Sequence, residues 1–137
     1  MVMDIIYYDD NIIVAIKPSG VISTDEPGGM PSLLREALGN AEADIRTVHR
    51  LDQVVSGLMV FAQNPETASE LSRQIRMGEF KKTYLAVVHG VPQERSGRME
   101  DILLRSKEQR KTFVVNKPCR GSQEAALDYR LLGSNGE

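Results

Sequence analysis

Short β-rich runs, each closed by a turn signal within a few residues, constrain this chain more than any other feature. Ile5-Ile6-Tyr7-Tyr8 and Ile12-Ile13-Val14-Ala15-Ile16 are separated only by Asp9-Asp10-Asn11, which predicts a hairpin. Lys17-Pro18-Ser19-Gly20 ends it, because proline lacks the N–H that a central strand must donate. Leu58-Met59-Val60-Phe61-Ala62 reads as a buried strand, and Thr83-Tyr84-Leu85-Ala86-Val87-Val88 as another, ended by Gly90-Val91-Pro92. Ile102-Leu103-Leu104, Thr112-Phe113-Val114-Val115 and residues 125–132 are further strand candidates.

Two stretches read as helices. Ser32 is placed to cap a short one carrying Leu33, Leu34, Ala37 and Leu38, closed by Gly39-Asn40. Asn64 and Pro65 open the stronger one as N-cap and first helical residue. Ala68, Leu71 and Ile75 share a face of it, and Gly78 stops it. Many strands, two helices and few tight βαβ units predict an α+β fold, with a mixed, largely antiparallel sheet and helices packed on it.

The 137 residues suit one domain with a real core. A single cysteine, Cys119, excludes an internal disulfide framework. No apolar run approaches the roughly 20 residues that span a bilayer, and Met1-Val2-Met3-Asp4 lacks the basic start of a secretory signal. A cytoplasmic protein with no membrane partner is the expectation. The net charge of −2 is unevenly spread. Residues 1–44 hold two basic and eight acidic side chains, whereas residues 45–120 hold fourteen basic and eight acidic ones. A basic middle suits a polyanion partner, since Lys and Arg displace counterions from phosphates. It equally suits a solvated surface of uneven charge.

The chemistry concentrates in Val48-His49-Arg50-Leu51-Asp52-Gln53-Val54-Val55-Ser56-Gly57-Leu58. This order puts a carboxylate between an arginine and a Ser-Gly turn, at the mouth of a strand. A carboxylate held there can act as a nucleophile or a base. It can also do no more than pair with Arg50 or cap a turn. His49 reads as a hydrogen-bonded turn residue beside the cleft. With only His49 and Asp52 close together, no metal set is nominated.

His49-Arg50-Leu51-Asp52 followed by Ser56-Gly57-Leu58 resembles the HRLD-x-x-T-S-G-L signature of RluA-type RNA pseudouridine synthases. Three further segments fit that family in order: Ile16-Lys17-Pro18-Ser19-Gly20-Val21, the run from Phe80 to Gly90, and residues 121–132 with Ala125 and Tyr129. The resemblance implies that Asp52 is the catalytic carboxylate. It implies that the reaction breaks the N1–C1′ bond of a uridine in ribosomal or transfer RNA and rejoins the base through C5. Such an isomerisation has no redox change, so no cofactor is implied. Tyr84 matches the family's active-site tyrosine, placed to stack on the base and assist proton removal. Arg50 would hold Asp52 or fill the gap left by an extruded base. His49, Arg73, Arg76, Lys81, Lys82, Arg105, Lys107, Arg110 and Lys111 are the candidate RNA-binding residues.

Val55 stands where the family has threonine, and no segment matches its later G-R-x-H-Q-I-R stretch. Gly133-Ser134-Asn135-Gly136 reads as a hairpin turn followed only by Glu137. Residues 1–137 are therefore read as the N-terminal portion of a single catalytic domain, without a separate S4-like RNA-binding module. Two rivals stand beside that reading. One is a relative that binds RNA or protein without turnover. The other is an Asp-dependent hydrolase or glycosidase, which would need a second carboxylate across the bond.

Overall fold

The computed structural model describes residues 2–136. Met1 and Glu137, which carry the ends of the signal and closing-turn readings, lie outside them. The chain forms two compact units that divide after Thr83, and each is described by itself.

The first unit holds β1 (Ile5–Tyr8), β2 (Ile12–Lys17), α1 (Met30–Leu38), β3 (Arg46–Thr47), β4 (Gly57–Ala62) and α2 (Pro65–Arg76). Its four strands lie in the order β1-β2-β4-β3, and every pairing is antiparallel. The expected hairpin forms. The Asp9 carboxylate closes its turn by accepting the N–H groups of Asn11 and Ile12, both at 2.7 Å. These bonds, that from Ile12 first, hold its carboxyl below the usual carboxylate range. Strand alternation then points Ile13, Ala15 and Lys17 into the interior opposite Phe61, Met59 and Gly57. Met30 and Leu34 of α1 complete that core with Ile45 and Leu51.

Helix α1 starts earlier than Ser32 predicts. Its N-cap is Gly29, because Met30 and Pro31 are drawn into the core as the first helical residues. A Cβ on Gly29 would meet the Thr24 carbonyl oxygen at 2.1 Å, so only glycine fits. The stop at Gly39 is as expected, with φ of 64°. Helix α2 begins as predicted, the Asn64 side chain accepting the Thr67 N–H at 2.8 Å. It ends at Arg76, two residues before Gly78. Ala68, Leu71 and Ile75 are half-buried on its inner face.

The second unit is a three-stranded antiparallel sheet of β5 (Ser96–Ser106), β6 (Lys111–Val115) and β7 (Ser122–Arg130), in the order β6-β5-β7. The three late strand candidates are all present. The expected strand over residues 83–88 is not: this stretch has no ladder partner among the described residues, and all of it is exposed. β-branched residues favour a strand only when a neighbouring strand packs against them. The turn predicted at residues 133–136 is also not formed. No helix among the described residues is long and apolar enough to cross a membrane.

Candidate active site

Asp52 opens a tight turn between Leu51 and β4, closed by the Val55 N–H on the Asp52 carbonyl at 3.0 Å. The turn is fastened to residues 17–23, about thirty positions earlier in the chain. Buried Ser23 donates its Oγ–H to the Leu51 carbonyl at 2.6 Å and accepts the Leu51 N–H at 3.0 Å. The Gly20 N–H reaches the Gln53 carbonyl at 2.7 Å, while the Gln53 side-chain amide donates to the Gly20 carbonyl at 3.0 Å. Gly20 manages this with φ of 93°, a conformation open to glycine. Ser19 Oγ donates to the Val54 carbonyl at 2.8 Å. All four carbonyls from Leu51 to Val54 are thus occupied.

Lys17 is the centre of this fastening. It is 0% exposed, and its Nζ donates to the carbonyls of Val21 (2.6 Å), Gln53 (3.0 Å) and Pro18 (3.1 Å). Burial pushes the ammonium's pKa down, and the charge of Asp52 pulls it back up. A buried cation therefore lies beneath the turn, within electrostatic reach of the carboxylate. The period-two series Ile13, Ala15, Lys17 was the available sign that this lysine faces inward.

Above the fastened backbone the Asp52 side chain is exposed, and among the described residues it forms no hydrogen bond or ion pair. Arg50 is exposed too and does not pair with Asp52, so it is not the clamp that the sequence suggested. The clamp is the 17–23 loop. Val55, in the threonine position, packs partly buried against the core.

His49 serves the same region. β3 pairs with β4 only through Arg46 and Thr47. Beyond it the His49 ring takes over, Nε2 accepting the Val60 N–H at 3.0 Å. This acceptor role requires the neutral ring with its proton on Nδ1, a buried atom with no partner. Burial, and then Lys82, push the His49 pKa down. The ring leans on Phe80, centroids 5.2 Å apart. His49, Arg50 and Lys82 line one cleft of about 500 Å³ together with Thr24, Thr47 and Ile75.

The remaining candidates lie on other elements of the two units. Arg73 is held between Glu70 and Glu79 at 2.8 and 2.9 Å. That pairing pushes the Glu70 carboxyl down to about 2. Arg76 is exposed near the end of α2, and Lys81 donates to the Gly78 carbonyl at 3.0 Å. In the second unit Tyr84 is exposed in the unpaired stretch. Arg105, Lys107, Arg110 and Lys111 gather at the β5–β6 hairpin, where Ser106 pairs with Lys111.

The sequence pattern of the RNA pseudouridylate synthase family matches residues 11–136. The dual-specificity RNA pseudouridine synthase RluA of Pasteurella multocida is 38% identical over 100 residues, covering 71% of this chain and 45% of that protein. The ribosomal large subunit pseudouridine synthase D of Borreliella burgdorferi is 35% identical over 146 residues, covering 97% of this chain and 44% of that protein. The chain spans about half the length of the curated relatives it matches. Human RNA pseudouridylate synthase domain containing 4 shares the fold, with a TM-score of 0.78 at 22% identity over 97% of this chain and 55% of that one. The chain belongs to the RNA pseudouridylate synthase family and is an RluA-type member of it.

Proposed function

We propose that this chain carries the catalytic aspartate of an enzyme that converts uridine to pseudouridine in structured RNA. The observation that carries the reading is the contrast at Asp52: a backbone held at every carbonyl of the turn, and a carboxylate with no hydrogen bond or ion pair among the described residues. A fixed backbone positions the group before the substrate arrives, which is worth more than a contact formed afterwards. A free carboxylate leaves its oxygens for the substrate.

The reaction breaks N1–C1′, turns the uracil and forms C5–C1′; the hydrogen on C5 leaves as a proton, and N1 takes up a proton. Atoms and electrons balance without an oxidant or reductant. The carboxylate acts as nucleophile, at C1′ or at C6 of the ring, or as base toward the sugar. The target base must leave its stack to reach it. Tyr84 is read as the residue that stacks on the base, and the exposed cations as phosphate contacts. Both units are read as parts of one catalytic domain, which the continuous family match supports. The ribosomal or transfer RNA substrate and the cytoplasmic setting belong to this reading.

The test is nucleoside chromatography of digested RNA after incubation with this chain and with its Asp52→Asn variant. Pseudouridine from the first and none from the second is the expected result. A second reading, RNA binding without turnover, draws on the unpaired stretch that carries Tyr84. It predicts no product from either protein and equal RNA affinity for both.

A further inference from the structure

The cleft beside the catalytic turn has a charge that the fold itself leaves unanswered. Arg50 and Lys82 both line it, and among the described residues neither forms an ion pair. No Asp or Glu lines it. The one carboxylate bonded to a lining residue is Glu26, on the Thr24 hydroxyl at 2.9 Å. The Thr47 hydroxyl is turned to the Ser23 carbonyl. His49, with Nε2 committed to Val60 and its proton on Nδ1, lines the same cleft and brings no negative charge to it. In an acidic protein of net charge −2, two cations without ion-pair partners lining one cleft form a local anion site.

Its place relative to Asp52 limits what the anion can be. Arg50 and Asp52 are two residues apart, so their Cα atoms are at most about 7 Å apart. A group gripped by Arg50 therefore lies in the neighbourhood of whatever the carboxylate attacks. We propose that this cleft is a subsite for a single backbone phosphate near the target nucleotide, gripped jointly by Arg50 and Lys82. The proposal rests on the reading that the chain acts on RNA, and it assigns to these two cations one shared phosphate instead of general surface attraction.

Joint grip on one phosphate makes a countable prediction. Fluorescence anisotropy of a labelled RNA stem-loop gives Kd across a salt series for the parent chain, Arg50→Gln, Lys82→Gln and the double variant. One phosphate contact in single-stranded RNA contributes about 0.7 to the slope of log K against log salt. Relative to the parent, the double variant should lose about that much and no more. The two single effects on Kd should also couple, with the double variant departing at least about twofold from their product. Lys82→Arg should restore the parent slope. Independent contacts would instead give the double variant twice the loss, about 1.4 in slope, with multiplicative single effects. Either that outcome or an unchanged slope in the double variant would overturn the shared subsite while leaving RNA binding intact. No RNA binding by the parent chain would overturn the RNA reading itself, and the subsite with it.

Discussion

Ser23→Ala removes one oxygen atom and should unfasten the start of the turn that carries Asp52. That oxygen accepts the Leu51 N–H at 3.0 Å and donates to the Leu51 carbonyl at 2.6 Å, both within the buried interior. Leu51 is 8% exposed, and neither backbone group has another partner among the described residues. Alanine leaves both without one. An orphaned buried donor or acceptor costs about 1–3 kcal/mol, so the pair should cost about 2–4 kcal/mol after some relaxation. Ser19→Ala is the matched control. Its single bond to Val54 lies in an exposed setting, and its loss should cost less than about 1 kcal/mol. The chain has no Trp, so urea unfolding is followed by circular dichroism at the helical minimum. Both helices belong to the first unit, so the signal reports the unit that carries the turn. The two variants should differ in midpoint and share the parent's slope with urea. A Ser23→Ala protein within about 0.5 kcal/mol of the parent would refute the reasoning, since that is the range of an ordinary surface change.

Three other outcomes follow from the same geometry. Lys17→Met leaves the buried Val21 carbonyl without a donor and takes one donor each from the Pro18 and Gln53 carbonyls, so stability should fall by about 1–3 kcal/mol, the relief from burying the ammonium offsetting part of the loss. The loosened turn should lower kcat by at least about tenfold, with RNA Kd within twofold, measured by single-turnover kinetics and anisotropy. His49 is the only histidine of the first unit and its folded pKa lies below the unfolded value of about 6.5. Its contribution is present above that value and is lost as pH falls through the window below it, by at most about 1.4 kcal/mol per pH unit. Urea midpoints between pH 7.5 and 5 should show this slope in the parent and a shallower one in His49→Gln. Asn64→Ala should cost about 1 kcal/mol by thermal melting, because it removes the acceptor of the Thr67 N–H at the start of α2.

What could be read from the sequence was what local chemistry decides. The β1–β2 hairpin follows from Asp9 and the flanking β-branched runs. The start of α2 follows from Asn64-Pro65, and the end of α1 from Gly39. Asp52 stood out because an arginine, a carboxylate and a Ser-Gly turn precede a strand. What could not be read depends on residues distant in the chain. The fastening of the turn joins Lys17 to Gln53 and Ser23 to Leu51, 36 and 28 positions apart, and no local pattern announces such bonds. Arg50 was the nearer cation in sequence, and the buried Lys17 is the one that holds the turn. The short β3 was missed because two residues carry no periodicity. The stretch from Thr83 to Val88 misled for the opposite reason. Its composition favours a strand, and a strand exists only with a partner. Residues at the start of α1 were misjudged because burial of Met30 and Pro31, a tertiary effect, decided where the helix begins.

Release of tritium from RNA labelled at C5 of uridine tests the central claim most directly. The uracil ring cannot be restored after the C5–C1′ bond forms without loss of that hydrogen, so release counts the completed isomerisation. The account predicts release by this chain and none by its Asp52→Asn variant at equal RNA saturation. Equal release by both proteins would contradict the assignment of Asp52. Release by neither, with RNA bound by both, would contradict turnover by this chain and leave the binding reading in its place.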